Sequence, residues 1–144
     1  MSLFSFDRCA VVAEIGINHN GSLDLALEMI RAAHRVGCDA VKFQKRTVDV
    51  VYSEEELARP RKSPLGETNG DLKRGLEFGR KEYRRIADFC AELGIVWYAS
   101  PWDEEALDFL VDLKVPYLKI ASASVTDRGL IEGAARSGIP LLVS

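Results

Sequence analysis

The runs Ile95-Val-Trp-Tyr-Ala-Ser100, Val115-Pro-Tyr-Leu-Lys-Ile-Ala-Ser122 and Ile139-Pro-Leu-Leu-Val-Ser144 decide the fold: each is apolar, each ends in serine, and the serines recur every 22 residues. Helical patterns fill the intervals. Asp103 heads one, with Ala106, Leu107, Leu110 and Leu113 on a shared face; Thr126 or Asp127 heads the next, with Leu130, Ile131 and Ala134 inward and Gly138 as its stop. Strand, short loop and helix at a fixed spacing is a βα repeat, and such repeats build parallel sheets or β/α barrels. Those folds do their chemistry with polar residues at the C-terminal ends of the strands, so the three serines are the first site candidates.

The same grammar runs back to the N-terminus. Cys9–Ile17 is an apolar run broken by Glu14 and Gly16 and followed by the turn Asn18-His-Asn-Gly21. Ser22 is a good helix N-cap, Leu23, Ala26, Leu27, Ile30 and Ala33 form a stripe, and Gly37 ends it. Asp39–Phe43 is the second strand, and Tyr83, Ile86, Ala87, Cys90 and Leu93 share a further helix face closed by Gly94. Five parallel strands and four helices are therefore expected. A (β/α)8 TIM barrel takes about 250 residues, so residues 1–144 read as about its first half. An open sheet of five parallel strands satisfies the periodicity equally well.

One interval breaks the beat. Lys42 and Ser100 lie 58 residues apart, and the excess sits in 45–79, a polar segment with Arg59-Pro-Arg-Lys-Ser-Pro64 and Gly66-Glu-Thr-Asn-Gly70. A long loop after the C-terminal end of a strand is expected to be a lid that covers the substrate, the alternative being a solvated insertion.

Composition narrows the partners. The chain is 47% hydrophobic and 28% charged with a net charge of −3, which offers no attraction for nucleic acid or an anionic membrane. No apolar run approaches the roughly 18 residues of a membrane helix. MSLFSFDRCA has no basic region followed by an apolar stretch, so a cytoplasmic protein is expected, with Cys9, Cys38 and Cys90 as reduced core residues.

Glu14 and Lys42 are charges inside strands that should be buried on both faces. A buried ion needs a partner, and these two can supply one another. Gln44, Ser100, Lys119 and Ser122 fall at the same level. Lysines supply point charge and serines short hydrogen bonds, so the set suits a phosphorylated, carboxylated small molecule. Lys45 and Arg46 lie just beyond and either add to the site or are solvated. His19 serves the site or caps a turn, while His34 is expected at the surface. Trp97 is expected in the core, and Trp102 either lines the mouth or packs under the long segment. Two histidines with no cysteine or carboxylate at ligand spacing make no metal site.

Ala13-Glu-Ile-Gly-Ile-Asn-His-Asn-Gly21, Val41-Lys-Phe-Gln44, Tyr98-Ala-Ser-Pro-Trp-Asp103 and Tyr117-Leu-Lys-Ile-Ala-Ser122 resemble the successive strand-end motifs of the sialic acid (N-acetylneuraminate) synthases. Relatives of that family make legionaminic, pseudaminic and spore-coat sugars. Lys62-Ser-Pro-Leu-Gly66 with Gly75-Leu-Glu-Phe78 is similar to the long loop of the spore-coat branch. The resemblance implies a homodimeric enzyme that condenses phosphoenolpyruvate with the open-chain aldehyde of an N-acetylated amino sugar and releases phosphate. It implies that Lys42, Ser100, Lys119, Ser122 and Ser144 contact phosphoenolpyruvate, Gln44 the sugar, and that Glu14 is catalytic beside the reacting carbons. It also implies a divalent metal, Mn²⁺ or Mg²⁺, whose two histidine ligands come from later strands, and an antifreeze-like domain beyond Ser144. Ser124 stands where some members carry an acid. Activity is thus expected of a complete barrel, with these 144 residues inactive alone. The alternative is a non-catalytic half-barrel that binds an anion weakly or self-associates. A sugar-phosphate aldolase or isomerase would explain the lysines but not the ordered motifs.

Overall fold

A computed structural model describes residues 8–144. In chain order the elements are β1 (Val12–Gly16), α1 (Leu23–Arg35), β2 (Ala40–Lys45), α2 (Val48–Val51), α3 (Glu54–Ala58), β3 (Pro60–Ser63), β4 (Gly66–Thr68), α4 (Asn69–Gly75), α5 (Arg80–Leu93), β5 (Val96–Pro101), α6 (Glu104–Asp112), β6 (Leu118–Ile120), a 3₁₀ turn (Ser122–Ser124), α7 (Arg128–Arg136) and β7 (Leu141–Val143). The main sheet runs β1-β2-β5-β6-β7 with every pairing parallel, as the repeat predicts.

Local chemistry starts and stops the long helices as expected. The Ser22 hydroxyl accepts from the Leu25 N–H at 3.2 Å, and the Asp103 and Asp127 carboxylates accept from the N–H groups of Ala106 and Leu130. Gly94 ends α5 at φ 74°, a left-handed conformation that a side chain would resist.

Alternation along each strand sorts the side chains onto two faces. Val41, Phe43, Ala99, Leu118 and Ile120 face Ile30, Ile86, Leu110 and Leu130 of the helices and form the main core. The opposite face carries a smaller cluster drawn from the strands and their flanks, with Ala40 and Tyr98 buried and Val12, Val96, Tyr117 and Leu142 packed on them. Lys42 and Gln44, two and four residues past Ala40, share that helix-free face.

Several expectations are corrected. The first strand was expected over Cys9–Ile17 but is Val12–Gly16. Gly16 at φ 56° shifts the register with β2, and the Asn18 N–H turns back to the Ile15 carbonyl. Upstream, the Asp39 carboxylate accepts from the Val11 N–H and pairs with Arg8. The last two strands are only three residues each, Leu118–Ile120 and Leu141–Val143. They were expected over Tyr117–Ala121 and Ile139–Ser144; the first gives way at its end to the 3₁₀ turn from Ser122, and the second starts only after Pro140, which lacks the N–H a ladder requires. Cys9 is exposed and Cys38 half-buried; Cys90 alone of the three is in the core, and all are free.

The segment 45–79 is not an irregular loop. It folds into α2, α3, the antiparallel hairpin β3–β4 and α4, so that short helices join the four expected. A capping box between Thr68 and Asp71 starts α4, and the Asn69 side chain donates to the Glu56 carbonyl, tying α3 to α4. Its base is stapled to the barrel-like sheet: Arg46, 3% exposed, pairs with Glu77 at 2.6 Å and donates to the Tyr52 hydroxyl at 2.9 Å. Lys45 donates to the Phe78 carbonyl at 3.0 Å, and Tyr83 donates to the Gln44 carbonyl at 2.7 Å.

Candidate functional site

The register β1–β2 sets Glu14 beside Lys42, and β2–β5 sets Lys42 beside Tyr98 and Gln44 beside Ser100. At the C-terminal ends of these strands the Glu14 carboxylate bridges two ammonium groups. Its Oε2 lies 2.8 Å from the Lys42 Nζ and its Oε1 2.8 Å from the Lys119 Nζ. Glu14 is half exposed at 49%, whereas Lys42 is only 10% exposed and Lys119 23%. Burial raises the Glu14 pKa, but hydrogen bonds and charge from the two lysines outweigh it and hold the carboxyl below its ordinary value. The triad carries a net positive charge on an open face.

Tyr98 and Tyr117 meet edge to face beneath it, with ring centroids 6.2 Å apart. Burial, reinforced by the negative charge of Glu14, raises the Tyr98 phenol pKa and keeps it neutral. Ser100 is fully buried, and its hydroxyl has no hydrogen-bond partner. A buried hydroxyl without a partner is costly and calls for a ligand or water. The Gln44 amide lies over Gly16.

The structure therefore joins Glu14, Lys42 and Lys119 directly and sets Gln44 and Ser100 on paired strand positions. Ser122 and Ser144 are exposed and end the neighbouring strands; Ser122 opens the 3₁₀ turn after β6, and the Ser144 N–H donates to the Ile120 carbonyl at 3.3 Å. Ser124, at the position of the missing acid, is buried. Lys45 and Arg46 belong to the staple of the 45–79 segment and not to the triad. Trp97 is in the core, and Trp102 stacks near the Arg46 guanidinium, 5.7 Å from ring centre to carbon.

His19 is a packing residue. It is buried, stacks on Phe78 with centroids 4.0 Å apart, and its Nδ1 accepts from the Gly21 N–H at 3.2 Å. Burial depresses its pKa to about 4, against a smaller opposing hydrogen bond with the Gly16 backbone. His34 is exposed on α1.

Sequence reasoning missed the Arg46–Glu77 pair and the tyrosine pair under the lysines. The signals were present: a basic residue one step past a buried strand, and aromatic residues two positions before Ser100 and Lys119 on the same strand faces.

For the implied Mn²⁺ or Mg²⁺, the donor set does not fit. Among the described residues no three His, Cys, Asp or Glu side chains converge. Both Glu14 oxygens are held by lysines, and His19 is packed away.

Comparison with known proteins bears on the whole of this arrangement. The chain is 40% identical over 138 residues to human N-acetylneuraminate-9-phosphate synthase, covering 94% of this chain and 38% of that one. It is 33% identical to the N,N'-diacetyllegionaminic acid synthase of Legionella pneumophila, over 94% of this chain and 39% of the relative. It thus spans about two-fifths of the length of these relatives. Among solved structures it superimposes on the sialic acid synthetase of Leptospira borgpetersenii, crystallised with citrate, with a TM-score of 0.78 and 30% identity, covering 92% of this chain and 43% of that one. The NeuB family model matches residues 29–144, and the chain belongs to the NeuB family.

Proposed function

We propose that these residues form the phosphoenolpyruvate half of a nonulosonic acid synthase, which condenses phosphoenolpyruvate with the aldehyde of an N-acetylated amino sugar and releases phosphate. The observation that carries this reading is the Glu14 carboxylate shared at 2.8 Å between Lys42 and Lys119 at the ends of parallel strands. Phosphoenolpyruvate brings a phosphate and a carboxylate. Two ammonium groups with a single intervening carboxylate leave net positive charge for them, and the unpartnered Ser100 hydroxyl, two residues beyond the position beside Lys42, supplies a hydrogen bond.

In the reaction the C2=C3 electron pair of phosphoenolpyruvate forms a bond to the aldehyde carbon, and the aldehyde oxygen takes up a proton. C2 becomes oxocarbenium-like and water adds there, losing one proton; the adduct then collapses to a ketone as the C2–O bond to phosphate breaks and the C2 hydroxyl gives its proton to the departing phosphate. Glu14 sits where a fixed negative charge stabilises the cationic C2. It also takes the proton that water loses. A carboxylate with a lowered pKa is a weak base, but water bonded to a cationic carbon is acidic enough for it. Lys42 and Lys119 hold phosphate and carboxylate through these steps, Ser122 and Ser144 add hydroxyl contacts, and Gln44 orients the sugar. The Mn²⁺ or Mg²⁺ expected of the family finds no ligand set among the described residues, and the roles assigned to these residues do not involve it.

Calorimetric titration with phosphoenolpyruvate tests the reading. The protein is expected to bind it, and Lys42→Ala and Lys119→Ala each to weaken binding by about tenfold or more, the scale of one lost charge-assisted hydrogen bond. Unchanged affinity would remove that lysine from the site. The 144 residues alone are expected to bind without turnover, and phosphate release from them with N-acetylmannosamine present would contradict this.

A further inference from the structure

Two steps along β1 match one along β2: Glu14 lies opposite Lys42, and Gly16 opposite Phe43. Ile15 is the extra residue of a β-bulge, and a bulge bends its strand and re-aims the side chains beside it. Gly16 completes the bulge at φ 56°. Glu14, half exposed, reaches Lys42 and Lys119 from the position just before it, so the bulge sets where the carboxylate points.

His19 holds this bulge from the following turn. Its Nδ1 accepts from the Gly21 N–H at 3.2 Å, so the neutral ring carries its hydrogen on Nε2, the donor for its hydrogen bond with the Gly16 backbone. The His19 carbonyl accepts from the Ser22 N–H at 2.9 Å. The Ile15 carbonyl is tied as well, by the N–H and the side chain of Asn18 at 2.9 and 3.0 Å. The imidazole stacks on Phe78 with centroids 4.0 Å apart and meets Phe43, the residue opposite Gly16, at 6.1 Å. Phe78 is itself fixed to β2, since its carbonyl accepts from the Lys45 ammonium at 3.0 Å.

Packing alone does not account for a histidine here. A phenylalanine ring would fill a slot beside two aromatic rings, and burying an imidazole costs free energy that an apolar ring does not. What the imidazole adds is a donor and an acceptor, one for each end of the turn. Gly16 at one end belongs to the strand that bears Glu14. Gly21 at the other abuts the 45–79 segment, where a side-chain carbon would strike the Gly75 carbonyl.

Resting on the synthase reading for the task of Glu14, we propose that His19 is a positioning residue. Its hydrogen bonds with Gly16 and Gly21 lock the bulge that aims the Glu14 carboxylate between Lys42 and Lys119, and through Glu14 they keep both ammonium groups placed for phosphoenolpyruvate.

Two substitutions separate this role from packing. His19→Phe keeps a ring against Phe78 and loses both hydrogen bonds; His19→Gln loses the ring and keeps an amide donor for Gly16. The readouts are the NMR signals of the Lys42 and Lys119 ammonium groups and the affinity for phosphoenolpyruvate by calorimetry, with thermal melts to show that each variant folds. His19→Phe is expected to move the ammonium signals toward those of Glu14→Gln and to bind phosphoenolpyruvate about fivefold more weakly, the scale of one hydrogen bond. His19→Gln is expected to melt lower yet keep native signals and affinity. Native signals and native affinity in His19→Phe would overturn the proposal, whatever His19→Gln does. If the native protein binds no phosphoenolpyruvate, the synthase reading falls, and the ammonium signals still decide whether His19 holds Glu14 in place.

Discussion

Glu14 and His19 are five residues apart on one strand and its turn, yet their environments assign them opposite tasks. Glu14 stays charged because two lysines hold it, and it faces an open surface. His19 stays neutral because it is buried under Phe78. The sign of its pH dependence follows. The unfolded chain takes up the His19 proton near pH 6.5 and the folded one only near pH 4, so stability falls as pH drops between those values. A displacement of that size corresponds to at most about 3 kcal/mol. Thermal melts of the native protein are expected to fall across this window and those of His19→Phe, which keeps a ring against Phe78, to fall less; identical slopes would show that His19 is not the group responsible. The Glu14–Lys42 pair was legible in the sequence as two charges on adjacent strands, although Glu14, expected to be buried on both faces of its strand, is half exposed. Lys119 as the second partner was legible only as a residue at the same level. Its contact with Glu14 crosses from β6 to β1, and only sheet order and twist bring those strands' ends together.

At the scale of elements, the long helices were readable because capping residues and apolar stripes agree, as at Ser22, Asp103 and Asp127. The 45–79 segment was not. Its helices run four, five and seven residues, too short to be held by local propensity, and its order comes from contacts remote in sequence. The Arg46–Glu77 pair, 31 residues apart, is the chief of these. With Arg46 buried, removing its partner leaves an uncompensated ion. Glu77→Gln is therefore expected to destabilise the protein by about 3 kcal/mol. Urea unfolding measures the loss, and amide exchange should quicken over the segment more than over β2 and β5. A loss below about 1 kcal/mol, the scale of an exposed pair, would show that the segment is held some other way.

Across the whole molecule, the 22-residue beat translates into five parallel strands in simple order with the long helices on one face. The other face holds an apolar floor of Val12, Ala40, Tyr98, Tyr117 and Leu142 below the charged triad. The length of β7 was overestimated because Pro140 falls inside the expected run, and apolar content alone does not report which N–H groups can enter a ladder. The arrangement sets Glu14, Lys42 and Lys119 together on the helix-free face, with Ser100 one step further along its strand beside Gln44. The most direct measurement is an NMR titration of the isotope-labelled protein with phosphoenolpyruvate, following backbone amides and lysine ammonium signals. Saturable shifts concentrated at Glu14, Lys42, Ser100 and Lys119, with little change on α1 or α5, are the predicted result. Saturable shifts centred elsewhere, or no binding at concentrations where Lys42→Ala and Lys119→Ala should already differ from the native protein, would contradict it.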